Sequence, residues 1–196
     1  MALISSCSDF FEKIGAGSNQ VANFWQHSVA VGICGEEIAL HVDLPVSASS
    51  ALIAGLLHDI GQLWLYRFNP EAARAAWGDA LSHAEGIEGA EQARFGVDHS
   101  IVGAWLGEHW DLPPALIKAI RHHHVCEPAL DEPLVLVIHV AEVLSNALDL
   151  TGRKENRVTR MSAEACRSLG LIWDESARTL FGRIDARSRH ANAFFA

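Results

Sequence analysis

The stretch Ala54-Gly55-Leu56-Leu57-His58-Asp59-Ile60-Gly61-Gln62 constrains this chain more than any other. An apolar run arriving from Leu52 delivers an imidazole and a carboxylate from adjacent positions beside a buried face. Gly61 is expected to close that helix in the left-handed conformation open to glycine. Neighbouring residues on a helix diverge by about 100°, so both side chains reach one ion only if the helix end points into a pocket between other helices. Taken alone, a His-Asp pair caps its helix or pairs with itself. The remaining donors in the chain shift the reading toward a metal-ligand pair.

With 196 residues, 49% of them hydrophobic, the chain can bury one substantial core and falls within the range of a single domain. The formal charge of −9 argues against a nucleic-acid surface, which requires a basic footprint. That charge is unevenly spread. Residues 1–150 carry 6 Lys/Arg against 19 Asp/Glu, and residues 151–196 carry 9 against 5, so the basic end is expected to dock on the acidic body. The division is then an extension over 1–18, a helical domain over 19–150, and a basic helical segment over 151–196 packed on it. Cys7, Cys34, Cys126 and Cys166 are scattered without C-x-x-C spacing, and no signal peptide is evident, which points to a reducing, cytoplasmic setting. The apolar run from Leu134 to Val143 is interrupted by His139 and Glu142 and is too short to span a bilayer. No membrane association is expected.

In chain order, Ser18 can cap a helix over about Asn19 to His41, in which Val21, Phe24, Ser28, Val31, Gly35 and Ile38 recur at three- and four-residue steps, with His27 beside that face. Asp43-Leu44-Pro45 breaks it, and Ser47, Ser49 or Ser50 can cap the next. Asn69-Pro70 starts a weaker helix. The segment Gly78 to Ala93 reads as surface helix and loop, with His83 solvated. Asp98 is a good N-cap for a helix opened by His99, an imidazole that the helix dipole would keep neutral and free to act as a ligand. Asp111 is expected to begin the next helix, which ends in His122-His123-His124; a basic C-terminal cap is the plain alternative for these three. Pro133 starts a strongly apolar helix in which Glu142 is the only acid, and a lone acid there requires a partner. Residues 151–158 read as a polar, basic loop, Gly170 ends a short helix, and Asp174 caps the last one. No strand alternation appears, so the fold is expected to be all-α, a helical bundle around one core.

His27, His58, Asp59, His99, His123, His124 and Glu142 are therefore the candidate metal ligands. Seven nitrogen and oxygen donors from five helices are hard to satisfy separately in a one-core protein, and a shared ion satisfies them together. Imidazole with carboxylate suits Fe, Mn, Zn or Ni, and seven ligands leave room for two ions about 3.5–4 Å apart.

The order and spacing of these pieces resemble the HD superfamily, and more closely the HDOD family of bacterial signalling output domains. The resembling text is Phe24-Trp25-Gln26-His27-Ser28-Val29-Ala30, Ala54 to Gly61, Phe95-Gly96-Val97-Asp98-His99 with Val102-Gly103-Ala104, and Trp110-Asp111-Leu112-Pro113 followed by Ala119-Ile120-Arg121-His122-His123-His124. It extends over about Asn19 to Leu148. The resemblance implies an HD-type helical bundle that acts as a regulatory module, whereas related HD and HD-GYP proteins hydrolyse phosphate esters, cyclic di-GMP among them. Three departures stand out. Gln62 occupies the place of the superfamily's Lys after His-Asp-x-Gly, Glu142 replaces its terminal Asp, and Val125-Cys126-Glu127-Pro128 contains no Gly-Tyr-Pro. The family's N-terminal helical subdomain is also expected to be missing. Glutamate still ligates a metal, but glutamine gives no cationic charge to a phosphoryl group. The expected function is thus a metal-binding signalling module with a protein partner or a small phosphorylated ligand. The alternative is a metal-dependent phosphohydrolase in which Asp59, His99 and His123 are catalytic and Arg121 and Gln62 contact phosphate.

Overall fold

Apolar steps of three and four residues become helices along the whole chain. The computed structural model describes residues 18–83, 86–151 and 160–193, with the side chains of 18–21, 83 and 128 excepted. The expected extension before residue 18, the Ser18 cap, the solvated His83 side chain and nearly all of the 151–158 loop lie outside the described residues. The helices are α1 (Ser18–His41), α2 (Ala48–Leu57), α3 (Ile60–Phe68), α4 (Pro70–His83), α5 (Ile87–Phe95), α6 (His99–His109), α7 (Pro114–His122), α8 (Pro133–Ala147), α9 (Ala163–Ser168) and α10 (Glu175–Asn192), with a 3-10 turn over Glu127–Ala129. No strand occurs among the described residues. The fold is all-α.

Polar caps set several of the helix starts. Ser47 accepts the Ser50 N–H, Ser162 accepts that of Ala165, Asp174 accepts that of Ser176, and one Asp98 oxygen accepts those of Ser100 and Ile101. Each pairing satisfies a first-turn donor that has no partner inside its helix. The apolar α8 runs through the centre, every residue from Leu134 to Ser145 buried. Around it α1, α2, α7 and α9 pack into one core that includes Val31, Ile38, Ala54, Leu116 and Ile138, joined by Leu180 of α10. A small satellite of Ala76, Ala80 and Ala90 joins α4 to α5.

Two glycine contacts draw the site-bearing helices together. A Cβ on Gly55 would lie 2.6 Å from the Gly32 Cα, so α1 and α2 cross at bare backbone. A Cβ on Gly61 would lie 2.0 Å from the His99 carbonyl oxygen and 2.6 Å from the Gly103 nitrogen. This corrects the reading of Gly61 as a left-handed helix end. Gly61 sits in the first turn of α3, and the glycines with positive φ among the described residues are Gly96 and Gly170. The chain turns instead through Asp59, at φ −98° and ψ 8°. Glycine is required at position 61 because α3 and α6 meet there backbone to backbone.

Asp111 does not begin a helix either. It takes φ 52° in a turn, and α7 starts at Pro114. The reason lies in Pro113 and Pro114, since a residue preceding proline is pushed out of helical backbone. At the other end of the chain α10 lies against α1. Arg183 Nε donates to Glu37 Oε2 at 2.7 Å, Arg187 Nη1 donates to Glu37 Oε1 at 2.6 Å, and Arg187 also pairs with Glu36. Two arginines of the last helix are thus placed on acidic side chains of the first.

Candidate metal centre

The centre is assembled from chain positions more than a hundred residues apart. His27 comes from α1, His58 and Asp59 from the junction of α2 and α3, His99 from the first residue of α6, His123 and His124 from the end of α7, and Glu142 from mid α8. They form two groups, Asp59 with His99, His123 and His124, and His27 with His58 and Glu142; within each the ligand atoms all lie within 4.8 Å of one another. Asp59 stands between the groups. Its Oδ1 is 3.1 Å from His99 Nε2 and 3.6 Å from His123 Nε2, while its Oδ2 is 3.4 Å from His58 Nε2 and 3.7 Å from His27 Nε2. Glu142 Oε2 is 2.9 Å from His27 Nε2 and 3.2 Å from His58 Nε2, and its other oxygen accepts the Asn146 amide at 2.9 Å. All seven predicted donors are therefore brought together.

The backs of the rings are tied down. His58 Nδ1 donates to the Gly55 carbonyl and His123 Nδ1 to the Ile120 carbonyl, each at 2.7 Å. A carbonyl can only accept, so the proton is on Nδ1 and Nε2 faces the centre. There His58 Nε2, Asp59 Oδ1 and Glu142 Oε2 are buried and make no hydrogen bond of acceptable geometry. His99 Nε2 lies 2.8 Å from His124 Nε2 and 3.4 Å from His123 Nε2. Converging ring nitrogens and carboxylates are costly to bury unless protons or a cation supply positive charge among them. The residues present thus fit a transition metal of the kind that favours imidazole and carboxylate.

The local electrostatics show the same demand for positive charge. Burial pushes the His58 imidazolium down, but Asp59 and Glu142 more than reverse this and raise it to about 9. Burial acts likewise on His99, and Glu91 and Asp59 outweigh it to hold the ring well above the usual histidine range. The expectation of a neutral His99 fails in this respect, because two whole carboxylate charges exceed the half charge of a helix terminus. Burial would raise the carboxyls of Asp59 and Glu142, yet the facing histidines hold both well below their ordinary values. Burial, reinforced by neighbouring imidazoles, keeps His123 and His124 lowered.

The two expected phosphate contacts are placed differently. Arg121 Nη2 is 3.0 Å from Glu108 Oε1, in a partly exposed pair between α7 and α6. Gln62 is buried in the first turn of α3, its backbone N–H donating to the Asp59 carbonyl at 2.8 Å. His122, the first of the tandem histidines, belongs to neither donor group.

Two residues escaped the sequence reading. Glu91, on a segment read as surface, is buried and meets His99 Nδ1 at 2.5 Å. His139 is buried in α8, donating from Nδ1 to the His123 carbonyl at 2.8 Å and accepting the Ser162 N–H on Nε2 at 3.0 Å. The available signals were the eight-residue step from Glu91 to His99 and a histidine inside a run otherwise almost wholly apolar.

A helical bundle with histidines and acids converging at its centre is the HD-type architecture. The HDOD domain family model matches residues 1–126, and the chain belongs to that family. The match includes every candidate ligand except Glu142. No curated protein matches the chain. Among solved structures it is similar to an HDOD domain protein of unknown function from Geobacter sulfurreducens, with a TM-score of 0.69 and 21% identity, covering 89% of this chain and 62% of that one. It is also similar to a Shewanella amazonensis SB2B protein provisionally named a phosphohydrolase, with a TM-score of 0.65, 23% identity and coverage of 86% and 63%. A third is a Marinobacter aquaeolei VT8 protein provisionally named for signal transduction, with a TM-score of 0.70, 22% identity and coverage of 88% and 38%. These likenesses carry the fold, and the chain spans less than two thirds of each of the three. No helix among the described residues is long and apolar enough to cross a membrane.

Proposed function

We propose that this chain is a metal-holding regulatory module of the HDOD type. The observation that carries the reading is a buried donor set with no arginine or lysine paired to it among the described residues, where Arg121 pairs with Glu108. Phosphoryl transfer requires cationic or hydrogen-bonding groups aimed at the developing negative charge, and one such group is worth about 3–4 kcal/mol. A bound ion in either group would join three separate segments, the His58–Asp59 junction being common to both, and would contribute Lewis acidity. Around it, the residues of this chain position nitrogen and oxygen donors and largely exclude water. Output would pass to a signalling protein or respond to a small phosphorylated ligand. Elemental analysis of protein purified without chelator tests the reading. Transition metal is expected at one or two equivalents per chain, and metal-free protein that stays so on incubation with Fe, Mn or Zn would defeat it.

A phosphohydrolase is the second reading, favoured by one observation: Asp59 presents one oxygen to each donor group, as a two-ion centre requires. Asp59, His99 and His123 would then be the residues whose loss abolishes turnover. Metal-loaded protein assayed against cyclic di-GMP and a nucleotide panel separates the two readings. Binding without hydrolysis is expected.

A further inference from the structure

Glu91 lies on α5, a helix that supplies no donor atom to the centre, yet its carboxylate is buried and directed at His99. One oxygen, Oε2, takes both the His99 ring at Nδ1, 2.5 Å away, and the His99 backbone N–H at 2.9 Å. The backbone bond completes the capping of α6, where Asp98 already serves Ser100 and Ile101. The ring bond does something else.

His58 and His123 are each tied by a carbonyl three residues back, from Gly55 and Ile120, a bond available to a residue that follows a turn of helix. His99 opens its helix and has no helical carbonyl behind it, so its Nδ1 partner must come from another element. Gly96, at φ 73°, turns the chain between α5 and α6 so that Glu91 supplies that partner. With Nδ1 held, Nε2 is fixed toward Asp59 Oδ1 at 3.1 Å and toward the His123 and His124 rings. A carboxylate behind a ligating imidazole fixes its orientation and raises its basicity, and such partners commonly change metal affinity by about 10- to 100-fold.

From these contacts we infer that Glu91 is a positioning residue which, through His99, prepares the group of Asp59, His99, His123 and His124 to take a cation. The inference rests on the metal-holding reading above. It is tested on the full chain by competition between the protein and a chromophoric chelator, with Zn(II) as the probe, for wild type, Glu91→Ala, Glu91→Gln and Glu91→Asp. Side-chain proton–nitrogen correlation spectra of the metal-free proteins, recorded at a pH where His99 is neutral, report its tautomer. Glu91→Ala is expected to weaken zinc by about 10- to 100-fold and to turn a fixed His99 tautomer into a mixture. Glu91→Gln keeps an acceptor for both N–H groups and should restore the tautomer and part of the affinity. Glu91→Asp, one methylene short, should behave like Glu91→Ala. If Glu91→Ala does not fold, the contrast between Gln and Asp decides. Variants that lower thermal stability but bind zinc like wild type, with unshifted His99 nitrogens, would overturn the role of Glu91 and leave the metal reading standing. A wild type that binds no metal would overturn both.

Discussion

His58 and Asp59 are neighbours in the chain, yet they belong to different donor groups, and this division gives each a distinct consequence on mutation. His58→Ala removes one nitrogen from the His27 and Glu142 group. Asp59→Ala removes the carboxylate that stands between the two groups, so the larger loss of metal is expected there. Because an ion binds only the folded chain, either change should also lower the metal-dependent part of thermal stability. Metal content by elemental analysis, with melting curves in the presence and absence of chelator, checks both effects. Metal content in Asp59→Ala equal to that of His58→Ala would refute the bridging position. The acid–imidazole alternation was legible because each donor sat beside an apolar stripe. Glu91 was not legible, since its burial depends on how α5 folds back on α6.

Helices meet most closely where their glycines are, and these contacts set the depth of the centre. Gly55→Ala and Gly61→Ala each place a methyl against backbone, which cannot move aside as a flexible side chain can. Overpacking of this kind typically costs about 1–3 kcal/mol, sometimes more. Chemical denaturation should show that loss, with metal affinity falling in parallel because α1 and α2, or α3 and α6, are forced apart. A second expectation concerns α10. Burial pushes the Glu37 carboxyl up, but Arg187 and Arg183 outweigh it and hold the carboxyl below its ordinary value. A lowered carboxyl contributes stability that is present above the unfolded value, about 4.3, and is lost as pH falls through the folded one. The arginines are more than a third exposed, so about 1 kcal/mol is the appropriate scale. The opening equilibrium along α10, taken from hydrogen exchange corrected for the intrinsic rate at each pH, should rise from pH 6 to pH 3, and Glu37→Gln should flatten that rise. An unchanged pH profile in the variant would show that the contact contributes nothing. His139 supplies the corresponding link at α9: His139→Leu should speed exchange over 160–168 by losing the bond to the Ser162 N–H.

For the whole molecule, an ion held as proposed would clasp helices that are remote in sequence. Chelation of a metal-loaded sample is expected to lower the melting temperature and loosen α1, α3, α6 and α8 together, since each carries or adjoins a donor. Exchange that increases in α6 alone would indicate one local ion rather than a shared centre. The all-helical class and the residues that converge at the centre were readable along the chain, because helical periodicity and side-chain chemistry are local properties.

What the sequence determined by itself was therefore the kind of element and the kind of ligand. Apolar steps of three and four residues compel helices, and an acid or histidine beside such a stripe must find a polar partner. Only the tertiary structure decided which donors share a group, that Asp59 divides its two oxygens between them, that Arg121 turns to Glu108, and that Gly61 serves a crossing rather than a helix end. Those outcomes depend on distances between residues remote in sequence, and such distances follow from how the helices pack against one another rather than from the pattern within any one of them.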